Sequence, residues 1–124
     1  MQYVIISRFD PDKTATLQQD LPAEAFAAID QATQDGKVLD LAELTGMGVS
    51  SELAQVLVDH LSHLTRLRDS GGLVSGGPCE GFKHAINVFE ADSEQQARDL
   101  HDADPLAKYG FFEIDQVYGW KQVF

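Results

Sequence analysis

The longest amphipathic pattern in the chain lies near its middle and predicts a helix. Apolar residues recur there in steps of three and four, the spacing that lines one side of an α-helix: Leu53, Val56, Leu57, Leu61, Leu64 and Leu67. His60, seven residues after Leu53, falls on the same side. Because an unpaired polar group is costly to bury, an imidazole among these leucines requires a hydrogen-bond partner. The helix is predicted to begin at Ser50 or Ser51 and to end at Ser70-Gly71-Gly72.

Alternating patterns predict strands on both sides of this helix. Four segments read as strands: Gln2 to Phe9, Leu73 to Ser75, Lys83 to Glu90 and Phe111 to Val117. The first is apolar on both faces at its centre, and Gly76-Gly77-Pro78 stops the second. The aromatic tail from Tyr118 to Phe124 is expected to dock against another surface, such as a second subunit.

Two further helical segments are predicted near the C-terminus. Ser93, followed three residues later by Gln96, is a capping-box signature that opens a helix running to about Asp102. Asp104 can then cap a short helical turn with Pro105 at its first position, closed at Gly110.

The segment from Asp10 to Gly48 separates the first strand from the histidine helix. We interpret Thr14 to Asp20 as a loop and Leu21 to Asp35 as a helix, with Pro22 in its first turn and Gly36 as its stop. Lys37 to Leu44 fits either a short strand or a frayed turn.

With that segment set aside, the order of elements is strand, helix, strand, strand, helix, strand. This is the βαββαβ order of the ferredoxin-like α+β fold, in which two helices cover one face of an antiparallel sheet. Because the strands are apolar on both sides, we expect two such sheets to pack face to face in a homodimer.

Composition narrows the classes of partner. At 124 residues the chain is expected to be a single domain. Nine basic and 20 acidic side chains give a net charge of −11, which argues against nucleic-acid binding. No apolar run approaches the ~20 residues that a membrane span requires, so no membrane partner is expected. A lone cysteine, Cys79, and the lack of a basic, signal-like start favour the reducing cytoplasm.

An ordered set of motifs accompanies the histidine helix. In chain order they are His60-Leu61, Gly71, Leu73-Val74, Gly77-Pro78, the Phe-Glu-Ala-Asp-Ser run at 89–93 leading to Ala97, the Asp-Ala-Asp-Pro run at 102–105, Gly110, and the Trp-Lys-Gln-Val-Phe end at 120–124. With these motifs the chain resembles the YCII-related family of small bacterial dimeric α+β proteins. The resemblance covers residues 1–9 and roughly 59–124, so the segment at about 10–48 reads as an insertion that lids the cleft or alters the dimer.

The resemblance implies a dimeric α+β barrel and a possible enzyme. His60 and Asp104 match the family's histidine and the aspartate of its Asp-Pro pair, which form an acid/base pair in a cleft. Some relatives handle ring compounds such as hydroxyquinones or lactones, which implies a small-molecule ligand. The expected chemistry is lyase-like or isomerase-like proton transfer without a cofactor or metal.

The residues themselves make this chemistry reasonable. Imidazole titrates near neutral pH, and a carboxylate on its second nitrogen would fix its tautomer. Ser75 and the backbone amides around Gly76, Gly77 and Pro78 could bind substrate by holding an oxyanion. A purely structural interpretation is also open: His60 as a core histidine, Asp104 as a helix cap, and the glycines as a tight turn.

Other side chains are weaker candidates. His60 and His63, with His84 and Asp104, could bind a metal. Histidine pairs three residues apart on a helix are common by chance, however, and no third ligand has a spacing typical of metal sites. Cys79 is expected to be a passive thiol rather than a nucleophile, and His101 is expected to be solvated on a helix flank. The alternative to an enzyme is a non-catalytic dimeric module that binds a small ligand or a protein, with Phe26, Ile29 and other insertion side chains filling the cleft.

Overall fold

The chain forms a four-stranded antiparallel sheet with six helices. The computed structural model describes all residues from Met1 to Phe124. Its elements are, in order, β1 (Gln2–Phe9), α1 (Pro11–Asp20), α2 (Ala23–Gln34), α3 (Leu41–Gly46), α4 (Ser51–Asp69), β2 (Leu73–Pro78), β3 (His84–Glu90), α5 (Glu94–Asp102), α6 (Pro105–Lys108) and β4 (Phe112–Trp120). The sheet order is β2-β3-β1-β4, and each neighbouring pair is antiparallel. This α+β architecture is consistent with the predicted ferredoxin-like fold.

The register of the sheet separates a covered face from an open one. Ile5 of β1 lies opposite Asn87 of β3 and Val117 of β4, so these side chains point to the same face. The helices cover that face and bury one core cluster: Ile5, Leu73, Phe89, Ala91 and Ala97. The opposite face carries side chains with the other parity, including Ile86 and Tyr118, which are 43% and 51% exposed.

The segment at 10–48 supplies a second part of the core. Leu21, Ala25, Leu44 and Val49 are buried against Ala54 and Leu57 in the first half of α4. Burying side chains of this kind stabilises a fold by roughly 1.5–3 kcal/mol for each large aliphatic group. The segment is therefore structural, and it is more than a detachable lid.

The prediction of a loop from Thr14 to Asp20 is wrong, because these residues belong to α1. The Asp10 side chain accepts a hydrogen bond from the backbone N–H of Lys13 at 3.0 Å, and Pro11 occupies the first helical position. Both features start a helix in a sequence with only a weak apolar stripe. Asp10-Pro11 thus ends β1 and begins α1.

The rest of the segment is also more helical than expected. The helix expected from Leu21 to Asp35 corresponds to α2, with Pro22 as its cap residue. Neither the strand nor the frayed turn expected at Lys37 to Leu44 is present, since α3 begins at Leu41. Its capping box joins Asp40 and Glu43, whose side chains each accept a backbone N–H of the other.

Two strands run further than their patterns indicate. β2 continues to Pro78, which lies opposite Ala85, because proline is tolerated on an edge strand. β4 continues to Trp120, so only Lys121 to Phe124 form the exposed tail. None of the helices is long and apolar enough to cross a membrane.

Candidate functional site

Helix α4 and the start of α6 bring together the two residues proposed as a pair. Ser50 caps α4, with its hydroxyl oxygen accepting from the N–H of Leu53 at 3.3 Å. Asp104 caps α6 through its Oδ1, which accepts from the N–H of Leu106 at 2.9 Å. Asp104 therefore caps α6, as expected, and contacts His60 with the same carboxylate.

The imidazole of His60 contacts the carboxylate of Asp104 directly. His60 Nδ1 lies 2.7 Å from Oδ1 and 2.9 Å from Oδ2. The side chains are 16% and 4% exposed, so the carboxylate is buried while the ring retains some access. An ionised carboxylate can only accept a hydrogen bond, so the hydrogen lies on Nδ1 of His60, which donates it to Asp104. Nε2 is then the nitrogen that remains for a ligand.

His60 lines a cavity of about 510 Å³ between α4, the sheet and the segment at 10–48. Fourteen of the 24 lining residues are hydrophobic, a composition that suits a small apolar or ring-shaped ligand with few polar contacts. Four of them are phenylalanines drawn from β1, α2, the β2–β3 hairpin and β4: Phe9, Phe26, Phe82 and Phe112.

The phenylalanine rings contact one another as a connected wall. Ring centroids are 5.6 Å apart for Phe26 and Phe82, and 5.6 Å apart for Phe9 and Phe112, both edge to face. Phe82 adopts a positive φ of 54°, uncommon for a bulky residue, and this conformation places it in the hairpin beside the cavity. Phe26 and Ile29 of α2 line the cavity and leave its volume open.

The four predicted substrate-binding residues all line this cavity along β2: Ser75, Gly76, Gly77 and Pro78. The two glycines differ in their surroundings. A Cβ on Gly76 would lie 2.2 Å from Oδ1 of Asn87, whereas a Cβ on Gly77 would meet nothing within 4 Å. Gly76 is therefore required by the side chain of Asn87, and an oxyanion role for the local amides stays a prediction.

Residues 1–121 match the sequence profile of the YCII-related domain. The chain belongs to the YCII-related family. The match spans the segment at 10–48 as well as the histidine helix and the Asp-Pro pair. No curated protein sequence matches this YCII-related protein.

A solved structure with a similar fold is the 5-chloro-2-hydroxyhydroquinone dehydrochlorinase of Burkholderia phenoliruptrix AC1100, in complex with 2,5-dihydroxybenzoquinone. The two chains share 18% sequence identity and superpose with a TM-score of 0.56, over 98% of this chain and 94% of the dehydrochlorinase. At this identity the similarity establishes a common fold.

The metal alternative is not supported by the positions of its ligands. His84 lies 4.0 Å from Asp115 on the open face of the sheet, whereas His60 lies on the covered face. The structure contains no group of three or more His, Cys, Asp or Glu side chains that could hold a metal. Cys79 is free and half-buried, and it is not among the residues that line the cavity.

The expectation that His101 is solvated is wrong. His101 of this YCII-related protein is 1% exposed, and its Nε2 lies 2.7 Å from the hydroxyl oxygen of Ser7, a fully buried residue of β1. Its Nδ1 lies 3.0 Å from Oδ1 of Asp102. The imidazole is thus hydrogen-bonded at both nitrogens and joins α5 to the sheet.

Asn87 is a cavity residue that sequence reasoning missed. It is 8% exposed, and it lines the same cavity as His60. Its signal in the sequence is a polar residue between Ala85 and Phe89, on the face of β3 that the fold must bury.

Proposed function

We propose that this protein is a small enzyme in which His60 and Asp104 perform acid/base chemistry on a small cyclic or carbonyl-bearing molecule. The observation that carries the proposal is the 2.7 Å contact between His60 Nδ1 and the buried Asp104 carboxylate, at the wall of a 510 Å³ cavity. Asp104 holds the proton on Nδ1, so Nε2 is the basic atom that faces a bound molecule.

The proposed step is a proton transfer at carbon. Nε2 of His60 removes a proton from a carbon beside a carbonyl, and the electron pair of the broken C–H bond moves towards the carbonyl oxygen. The imidazolium then returns the proton to another atom of the substrate or to a leaving group. General acid/base assistance of this kind contributes roughly 10²- to 10⁴-fold in rate.

The lining of the cavity supports a ring-shaped substrate. Its aromatic wall can stack or pack against a flat ring, while the polar groups at His60 and along β2 can meet ring oxygens. The dehydrochlorinase of similar fold, which was solved with a dihydroxybenzoquinone, is consistent with the same class of ligand. Ser75 and the amides of Gly76 and Gly77 are proposed to hold the oxygen on which charge develops.

Deuterium exchange tests the proposed proton transfer directly, whichever overall reaction the transfer serves. The protein in D₂O should accelerate exchange of the carbon-bound hydrogens of 2,5-dihydroxybenzoquinone, followed by proton NMR. In this probe a ring carbon first takes a deuteron as the enol becomes its keto tautomer, and Nε2 of His60 then removes the hydrogen from that tetrahedral carbon beside the carbonyl, which restores the enol. His60→Ala should remove the acceleration. His63→Gln is the matched control, because His63 lies one turn further along α4 and is not a cavity residue.

A non-catalytic module that binds a small ligand is the second candidate, because a largely apolar cavity of this size would serve binding without catalysis equally well. Binding of the quinone without any acceleration of exchange, equal in the native protein and His60→Ala, would support this second candidate and contradict the first.

We also propose that two copies associate through the open faces of their sheets. On that face Val4 lies opposite Tyr118, Ile6 lies opposite Ile86, and Trp120 is 41% exposed at the edge. A second copy would cover these apolar side chains and give the dimeric barrel. The exposed tail from Lys121 to Phe124 extends from the same strand and is available to a partner subunit.

Light scattering at micromolar concentration tests the dimer. The native protein should give about twice the chain mass of 13.6 kDa. Ile86→Asp should give the single-chain mass, whereas Leu41→Asp, at another exposed aliphatic residue, should leave the dimer intact. A native protein that is folded and monomeric would contradict the proposal.

A further inference from the structure

The side chain of Asn87 is placed as a ligand-binding group, although it belongs to the sheet. Asn87 lies on the central strand β3, opposite Ile5 of β1 and Gly76 of β2. The residue is 8% exposed, and its side-chain amide is not one of the fully buried polar groups that lack a partner. A polar group in so buried a place ordinarily has a hydrogen-bond partner, because leaving it unpaired is costly. The surface that Asn87 retains lies in the cavity that His60 lines.

The absence of a side chain at Gly76 leaves space for the side-chain amide of Asn87. The Oδ1 atom of Asn87 occupies the position beside Gly76 where a side chain would stand, only 2.2 Å from an ideal Cβ. Gly77, the next residue of the same strand, has no such neighbour. A glycine at 76 therefore lets the Asn87 amide lie along the floor of the cavity.

We infer that Asn87 is a positioning residue that hydrogen-bonds an oxygen of a ring-shaped ligand and so orients the ring towards His60. An amide offers both a donor and an acceptor, so it can bind a carbonyl or a hydroxyl oxygen. Its place on a central strand holds it rigidly, whereas the long side chain of Arg68, another polar group of the lining, already donates to the carbonyl oxygen of Thr33. The inference rests on the proposed function for the ligand class and adds the contact that fixes its orientation.

A pair of probes of the same shape tests this role. Hydroquinone and p-xylene differ in carrying two hydroxyls or two methyls on the same ring, and the affinity of each is measured by NMR titration. Asn87→Leu should weaken hydroquinone binding by about tenfold, the effect of one hydrogen bond of ordinary strength, while p-xylene binding stays equal or becomes tighter. Parallel losses for both probes, or no loss for either, would overturn the inference.

Gly76→Ala provides a second route should Asn87→Leu fail to fold. The added methyl displaces the amide while leaving Asn87 itself in place, so the Asn87 side-chain NH₂ resonances should shift and hydroquinone affinity should fall. Gly77→Ala, whose methyl enters open space, should shift those resonances much less. Equal shifts in the two variants would mean that Gly76 and Asn87 are not coupled, against the inference.

His60→Ala separates this inference from the proposed function. The preference for hydroquinone over p-xylene should survive in His60→Ala, because Asn87 supplies it. If the preference is lost in His60→Ala and kept in Asn87→Leu, the hydroxyl oxygen of hydroquinone is bound by His60. That result would refute the role of Asn87 and leave the acid/base proposal intact. If the native protein prefers hydroquinone over p-xylene but does not accelerate deuterium exchange into the quinone, the acid/base proposal is refuted and the role of Asn87 stands.

Discussion

Two histidine–aspartate contacts meet at the junction of α5 and α6, where Asp102 ends α5 and Asp104 caps α6, and they are built in opposite ways. In the pair of His60 and Asp104 the carboxylate is 4% exposed and the ring 16%. In the pair of His101 and Asp102 the ring is 1% exposed and the carboxylate 66%. The first pair buries the charge and leaves the ring accessible to a cavity; the second buries the ring and leaves the charge in water.

The difference lies in what each imidazole has left to offer. His101 uses both ring nitrogens within the protein, one with Ser7 and one with Asp102, so it has none for a ligand. His60 uses Nδ1 alone and keeps Nε2. The same two residue types thus give a structural link in one place and a candidate proton carrier in the other, and the outcome depends on the second nitrogen.

Activity should separate the two histidines most strongly. His60→Ala should lower the rate of deuterium exchange into the quinone by roughly 10²- to 10⁴-fold. His101→Leu, assayed well below its melting temperature, should keep the rate within a few-fold of the native value. Comparable losses in both variants would mean that the cavity depends on the whole fold rather than on His60 chemistry.

Stability should separate them in the reverse sense. His101→Leu should lower the free energy of unfolding by roughly 2–4 kcal/mol, because it leaves the buried Ser7 hydroxyl unpaired and alters packing. Adding Ser7→Ala should recover part of the loss, since removing both polar partners is less costly than removing one. Urea denaturation measures all three proteins, and a double variant no better than His101→Leu would contradict the hydrogen bond.

These two regions also show what the sequence could predict. The period of three and four around His60 predicts its helix, and the family resemblance supplies Asp104 as its partner. The strands are predicted by alternation, with errors only at their ends. Such signals are local or shared with relatives, so they can be read without tertiary contacts.

The missed features depend on contacts that the sequence does not display. His101 finds Ser7 94 residues away along the chain, on a strand whose burial depends on the helices packed over it. α1 and α3 start at the caps Asp10 and Asp40, but α1 is mostly polar and α3 has only six residues, so neither shows a clear helical period in the sequence. Asn87 becomes informative only when Gly76 is known to lie opposite it.

Asp104→Asn should give an intermediate effect that isolates the carboxylate. Asparagine can still cap α6, so the free energy of unfolding should change by about 1 kcal/mol or less. It no longer offers a charged acceptor to Nδ1, so the tautomer of His60 should become mixed and the exchange rate should fall by roughly tenfold or more. Nitrogen-15 NMR of the ring reads the tautomer; an unaltered ring spectrum would show that Asp104 does not control His60.

Asp102→Asn should have the smallest effect, and it is the matched control for Asp104→Asn. Asp102 is a largely exposed carboxylate, so water and salt screen its charge, and its contact with the His101 ring contributes about 0–1 kcal/mol. Asparagine retains an oxygen that can accept from Nδ1 of His101, and Ser7 still holds the other nitrogen. We therefore expect unfolding free energy within about 0.5 kcal/mol of the native value and an unchanged exchange rate. A large loss of stability in Asp102→Asn would mean that the buried ring needs the nearby charge, and the contrast between the two pairs would then lie in access to the cavity alone.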